Sequence, residues 1–383
     1  MKKFILSLFF VIFALFNICG EDLLHPVIRD DIDEDVRKIE QALVDYVLYP
    51  EMVERGFDVH QLDNMKIDGE MFEYIESFFR PNIEKGWLPL DNHHGLSIKD
   101  ENGKWFNSQM YHKYVKFSNE YGTKDELLKK GYVENETMFY YPSNGEKNWR
   151  IGEWSWFNWK GWAGPSSFSR CKYSLDFYGE KVVYGKKDIT SPCIETVETK
   201  KSFIITLTGM GDYINNVNLS KKDNLIIDLS YNLGGNEDQG NIFIQKVLKS
   251  KYKKIIIIIN DTTSAGDMMA EKFKLSKDKR VILIGKNTTG CVATFGSKVF
   301  TNINNQQFHF GSMNQSKAIL SDNSVYSTSI KEGIGIIPDI WAETELDVFI
   351  NLWNLTEDDE LKIDLGQLGT ADNLNYTNYK ILY

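Results

Sequence analysis

Apolar residues recur along this chain with two different periods, and the change of period divides it. From Ile32 to Tyr49 the apolar positions Ile32, Val36, Ile39, Leu43 and Val47 fall three or four apart, the spacing of a helix with one buried face. A second helical stretch, Gly69 to Arg80, carries Met71, Phe72, Ile75, Phe78 and Phe79, and Pro81 closes it. Beyond Ser202 the apolar residues gather instead in short blocks, at Phe203 to Leu207, Asn224 to Leu229 and Val281 to Ile284, with Ile255 to Ile259 running without a break. Blocks of this kind, rich in β-branched residues, suit strands buried on both faces. Helical patterns lie between them, from about Glu237 to Leu248 and onward from Asp267. Strand, helix and strand in that order predict a parallel sheet. Residues Ser297 to Phe310 alternate like a hairpin, and Leu346 to Leu355 suits a last helix.

The stretch from 99 to about 195 obeys neither period. Trp149, Trp154, Trp156, Trp159 and Trp162 crowd together, punctuated by Gly145, Gly152, Gly161 and Gly164, which predicts β-hairpins. The tryptophans suit either cross-strand packing or a platform for peptide or sugar. The expected organisation is an α/β protein in five parts: a signal peptide at 1–20, a helical subdomain at 21–96, a β-rich aromatic region at 97–200, an α/β core at 201–343, and a C-terminal helix and tail at 344–383.

Composition narrows the partners. A net charge of −10 over 383 residues argues against nucleic acid. Lys2 and Lys3 before the apolar Phe4 to Ile18 read as a secretory signal with cleavage after Gly20. The protein is therefore expected in the periplasm, the cell envelope or the extracellular space, with membrane attachment only if Cys19 is lipidated. Cys171, Cys193 and Cys291 remain, too few for a disulfide framework, although Cys171 and Cys193 could pair. No cysteine or histidine spacing suggests a metal, and no cofactor is expected.

Candidate chemistry gathers after the isoleucine block. Ser264 follows Asn260-Asp261-Thr262-Thr263 and precedes the small residues Ala265 and Gly266. A serine on a strand-to-helix corner can expose its hydroxyl beside free backbone N–H groups, as a nucleophile, or can cap the helix. A glycine turn, Asn232-Leu233-Gly234-Gly235-Asn236, follows the preceding block, and two histidines, His93 and His94, lie in a polar turn before residue 97.

Taken in order, these motifs resemble the serine peptidase family of C-terminal-processing (tail-specific) proteases, which includes the tricorn core protease and interphotoreceptor retinoid-binding protein. Leu225 to Gly235 is similar to the family's LIIDLRxNxGG, Thr263 to Asp267 with Ile284-Gly285 to its (T/S)ASASE…VGE, and Glu332 to Ile340 to its GxGVxPDI. Asp91-Asn92-His93 is similar to a DNH element of some members. The resemblance covers about 200 to 343 and implies a ClpP/crotonase-like core. It departs at Ser230, where the family carries arginine, and at Cys291, where processing proteases carry a catalytic lysine. Lys298 could substitute only if the loop shifts. Gly285-Lys286-Asn287-Thr288 looks instead like the GENT form of the lysine-less, tricorn-like branch.

The resemblance implies hydrolysis of polypeptides through an acyl-enzyme on Ser264. His93 would be the base and His94 the fallback, Glu332 would orient the imidazole, and N–H groups of Ala265 and of Gly234 or Gly235 would hold the oxyanion. An alternative keeps the fold without the chemistry, giving a protein that binds peptides or apolar ligands. An acyl-CoA enzyme of crotonase architecture is disfavoured by the signal peptide.

Overall fold

Ile255, Ile257 and Ile259 face one way from their strand, Ile256 and Ile258 the other, and the two sets enter different cores. In a computed structural model the described residues are 23–46, 48–92, 94–108, 110–142, 146–159, 194–207, 209–230, 232, 234–260, 262–291, 296–301, 306–312 and 333–361. The expected signal segment, Cys19, Cys171, Cys193, Trp162, His93 and Glu332 lie outside them. The chain forms two compact units, one of residues 1–108 with 294–315 and one of 109–293 with 316–383. Strands and helices are numbered in chain order below.

The smaller unit holds helices α1 (Glu34–Val44), α2 (Tyr49–Glu54) and α3 (Gly69–Glu76). Asp33 caps α1 through bonds from the N–H groups of Asp35 and Val36. The single helix expected over Ile32 to Tyr49 is broken in two. Pro50 lacks the N–H needed to continue a helix but suits the first turn of a new one, and it occupies that position in α2. The unit's antiparallel sheet has the order β11 (Gly296–Thr301), β12 (Gln307–Ser312), β1 (Ser97–Lys99) and β2 (Trp105–Asn107). Ser97 to Lys99, expected in the aromatic region, thus pairs with Gln307 to His309, expected in the core.

The larger unit contains a three-stranded antiparallel sheet of β3 (Met110–Gly122), β5 (Trp149–Trp159) and β4 (Met138–Tyr140), in that spatial order, with helix α4 (Lys124–Lys129). The expected run of short hairpins is one long ribbon, with Met110 opposite Trp159 and Gly122 opposite Trp149. Two of the tryptophans take the cross-strand packing role: Trp154 meets Phe139 edge-on at 5.7 Å and Trp149 meets Tyr140 at 5.4 Å.

Its second sheet joins β13 (Ile340–Trp341), β10 (Val281–Gly285), β9 (Lys254–Ile259), β8 (Asn224–Asp228), β7 (Ser202–Leu207) and β6 (Ile194–Glu198). All neighbours are parallel except β6. Helices α5 (Glu237–Leu248) and α6 (Ala265–Leu275) cover one face, where Phe243, Val247, Met269 and Phe273 meet Ile255, Ile257 and Ile259. Helix α7 (Glu345–Thr356) brings Phe349 and Leu352 onto Ile256 and Ile258 of the other face. Both faces being covered is why the blocks are near-continuous apolar runs rather than alternations. Among the described residues no helix is long and apolar enough to cross a membrane.

Candidate active site

Strand β9 delivers the chain to Ser264, and α6 begins one residue later. Serine in this position usually turns its hydroxyl onto the helix N–H groups. Ser264 does not. Its backbone is left-handed, with φ 59° and ψ −131°, and its side chain makes no capping bond. A residue with a Cβ pays about 1–3 kcal/mol for such a conformation, which persists only where surrounding contacts dictate it.

The contacts come from the glycine turn after β8. Asn232 is fully buried. Its side-chain amide donates to Leu207 O at 2.9 Å, its Oδ1 accepts the Gly234 N–H at 2.8 Å, and its backbone carbonyl accepts the Thr263 N–H at 2.9 Å. Asn232 therefore ties the turn, β7 and the serine corner together. Ser230, two residues before Asn232, donates its N–H to Asp228 Oδ1 at 2.8 Å.

Gly234 has φ 81°, and a Cβ there would lie 2.6 Å from Ser264 Cβ and 2.7 Å from Ala265 N. The turn thus lies directly against the serine. Of the two glycines offered as oxyanion donors, Gly234 is excluded because its N–H is committed to Asn232. Neither the Gly235 N–H nor the Ala265 N–H meets an acceptor among the described residues. Ala265 opens α6, so the positive end of that helix also points at this corner.

Asp267, which the sequence reading passed over, fixes the far side of the helix start. It is fully buried. Its carboxylate accepts the N–H groups of Gly290 at 2.9 Å and Cys291 at 3.2 Å and the Thr289 hydroxyl at 3.3 Å. Burial raises its pKa to about 7, against the lowering effect of these donors and the Thr288 hydroxyl. Gly333, the residue after Glu332, donates its N–H to Gly290 O at 2.9 Å and accepts the Lys113 N–H at 2.7 Å. His112 was also missed. It is buried, with Nε2 2.9 Å from Thr288 O and 3.0 Å from the Asn287 amide. Cys291 is a buried thiol. The sequence signal for Asp267 was a carboxylate on the apolar side of a helix beside Met268 and Met269.

The remaining candidates fall differently. His93 and Glu332 lie outside the described residues. Lys298 belongs to β11 of the smaller unit, opposite Phe310. His94, the fallback base, is built into the core of the smaller unit. Its Nδ1–H donates to Asp91 O at 2.5 Å, its Nε2–H donates to Glu76 Oε2 at 2.8 Å, and its ring stacks on Phe79 at 4.1 Å. Both nitrogens are engaged, so His94 has no site left to take a proton from a nucleophile. Asp91 is likewise structural, accepting the Tyr46 hydroxyl at 2.7 Å.

Solved structures similar to this chain include the photosystem II D1 C-terminal processing protease, at 16% identity over 42% of this chain and 47% of that one, with a TM-score of 0.29. The tricorn protease is 20% identical over 42% of this chain and 16% of its own, with a TM-score of 0.28. Mature CPAF is 11% identical over 80% of this chain and 92% of its own, with a TM-score of 0.37. The EDM2 methyltransferase-like domain family matches residues 167–320, less than half of the chain, and that match ends before β13 and α7. No curated protein matches the chain.

Proposed function

We propose that this protein is a serine-type hydrolase of polypeptides acting through an acyl-enzyme on Ser264. The observation that carries the reading is the uncapped, left-handed Ser264 pressed against Gly234. A cap would explain the serine without strain, whereas a nucleophile needs its hydroxyl presented at a sharp corner. In this reading Ser264 Oγ attacks the scissile carbonyl, and the oxyanion is held by the N–H groups of Ala265 and Gly235. His93 takes the serine proton and returns it to the leaving amine, with Glu332 orienting the imidazole. The reading extends to an exported protein, supported by Lys2, Lys3 and the apolar stretch that follows.

A second reading keeps the corner as an inherited scaffold for binding peptides or apolar ligands. Cys291 favours it, since a buried thiol stands where the resembled proteases hold lysine. Methyl transfer is not favoured by the topology. Nucleotide-type cofactors of open α/β sheets sit where the strand order reverses, and the order β13-β10-β9-β8-β7-β6 runs in one direction throughout.

A fluorophosphonate probe separates the first two readings. The exported form should be labelled, and Ser264→Ala should abolish labelling. No labelling, or labelling that survives Ser264→Ala, would overturn the hydrolase reading.

A further inference from the structure

Glu40 breaks the pattern of its own helix. It lies on the buried stripe of α1 between Val36, Ile39 and Leu43, where an apolar residue belongs, and it is 0% exposed. As an ionised group it meets no hydrogen-bond donor at either oxygen among the described residues. Burying an ionised group without a partner is strongly unfavourable, so a buried carboxylate in this state calls for a ligand or a proton.

Two further donor groups face it. The 3-10 turn Val59–Leu62 carries His60, and Asp63 ends that turn. One ligand atom each from Glu40, His60 and Asp63 lie within 4.8 Å of one another. Asp63 is divided in its contacts: Oδ2 takes the Arg29 guanidinium at 3.3 Å, and Oδ1 lies 3.7 Å from His60 Nδ1. Burial pushes the Glu40 carboxyl up to about 8; the hydrogen bond its protonated form makes with Asp63 and the Asp63 charge add to this, with Arg29 opposing and Asp58 reinforcing it. Two carboxyls close together in a dry site repel, and either a proton or a cation can relieve them. Asp63 also lines a cleft of about 410 Å³ whose wall carries Asp33, Asp35, Asp68, Asp100 and Glu101, an acidic approach for a cation.

We propose that Glu40, His60 and Asp63 form a binding site for a divalent transition-metal ion of the zinc type. One imidazole nitrogen with two carboxylate oxygens suits zinc, and three protein ligands leave a position for water. Two carboxylates neutralise the ion without leaving a net charge in the interior. The ion would staple α1 to the turn at His60 and Asp63. This site lies in the smaller unit and shares no residue with the set assigned to the chemistry at Ser264.

The test uses the full exported chain, stripped with chelator and then titrated with zinc chloride, with bound metal measured by mass spectrometry after desalting. About one zinc per chain is expected, with a rise in the unfolding midpoint as zinc increases. Glu40→Gln and Asp63→Asn should each weaken binding about a hundredfold or more. Loss of binding through misfolding is separated by the metal-free proteins. Glu40→Gln removes the repulsion, so without zinc it should unfold at or above the wild-type midpoint, and with zinc below it. If the wild type retains no zinc, or if both variants bind it as tightly, the site is a proton-sharing carboxyl pair and the proposal fails.

Discussion

A Cβ on Gly234 would lie 2.8 Å from Ser264 Oγ. The glycine is therefore set by the serine's side chain as well as by its own φ of 81°. Gly234→Ala must push either the turn or the corner aside. It should cost about 1–3 kcal/mol in urea unfolding, the range for overpacking a closed site. It should also lose fluorophosphonate labelling together with the fold of the corner. Unchanged labelling and stability would mean that turn and serine separate freely in solution.

The backbone of Ser264 gives a second test that needs no substrate. If its hydroxyl capped α6, Ser264→Ala would cost about 1 kcal/mol. Because no capping bond exists, Ser264→Ala should leave urea stability within about 0.5 kcal/mol of wild type. Ser264→Gly should do more than stay neutral. Glycine adopts positive φ without the Cβ penalty, so relief of strain should raise stability by about 1 kcal/mol. A stabilised but unlabelled Ser264→Gly protein would mark a strain kept for chemistry. Destabilisation by both changes would mean that the serine is structural.

The sequence made the sheet legible because its strands are buried on both faces. Phe203 to Leu207, Ile255 to Ile259 and Val281 to Ile284 needed no partner information to be read as strands, and Glu237 to Leu248 matches α5 residue for residue. Gly234 and Gly235 also stood out, since glycine pairs punctuate a sequence. Which of them could offer an N–H was not legible. That depends on Asn232 Oδ1, a side chain two residues earlier that reads as an ordinary turn residue. The long pairing of β3 with β5 was missed because its partners lie far apart along the chain, and local turn signals suggested short hairpins instead. Asp267 and Glu40 were passed over for one shared reason. Periodicity marks the apolar positions of a helix, and a carboxylate among them looks like noise until its burial is known.

His94 and Glu76 form a buried pair whose energetics can be read from pH. Burial lowers the histidine pKa, but Glu76 and Asp91 outweigh it, and the group ends above its ordinary 6.5. A histidine that holds its proton more tightly when folded adds stability that is fully present below pH 6.5 and is lost as pH rises through the higher folded value. Glu76→Gln removes the charge and should cost about 3 kcal/mol at pH 6, since it leaves an imidazolium buried without its partner. The penalty should shrink as pH rises past the folded pKa of His94. A penalty that stays constant across the folded His94 titration, followed by NMR in the same samples, would show that the pair is not an ion pair.

Asp267 should show the same direction in a lower window. Its folded pKa of about 7 lies above the ordinary 3.8. The folded protein therefore binds a proton that the unfolded chain releases between those values, and stability contributed by this group falls as pH rises from about 4 to about 7. Asp267→Asn cannot titrate. The stability difference between wild type and Asp267→Asn, measured by urea unfolding at several pH values, should favour wild type most near pH 4 and decline toward pH 8. The same substitution places an amide N–H among the donors of Gly290, Cys291 and Thr289, which the carboxylate accepts. The loop at 288–291 should loosen, and amide exchange at Gly290 and Cys291 should quicken even at pH 8, where the protonation contribution is gone. Exchange that stays slow there would mean that the loop is held by the Thr262 and Ile336 backbone bonds to Thr289 and Thr288 rather than by Asp267.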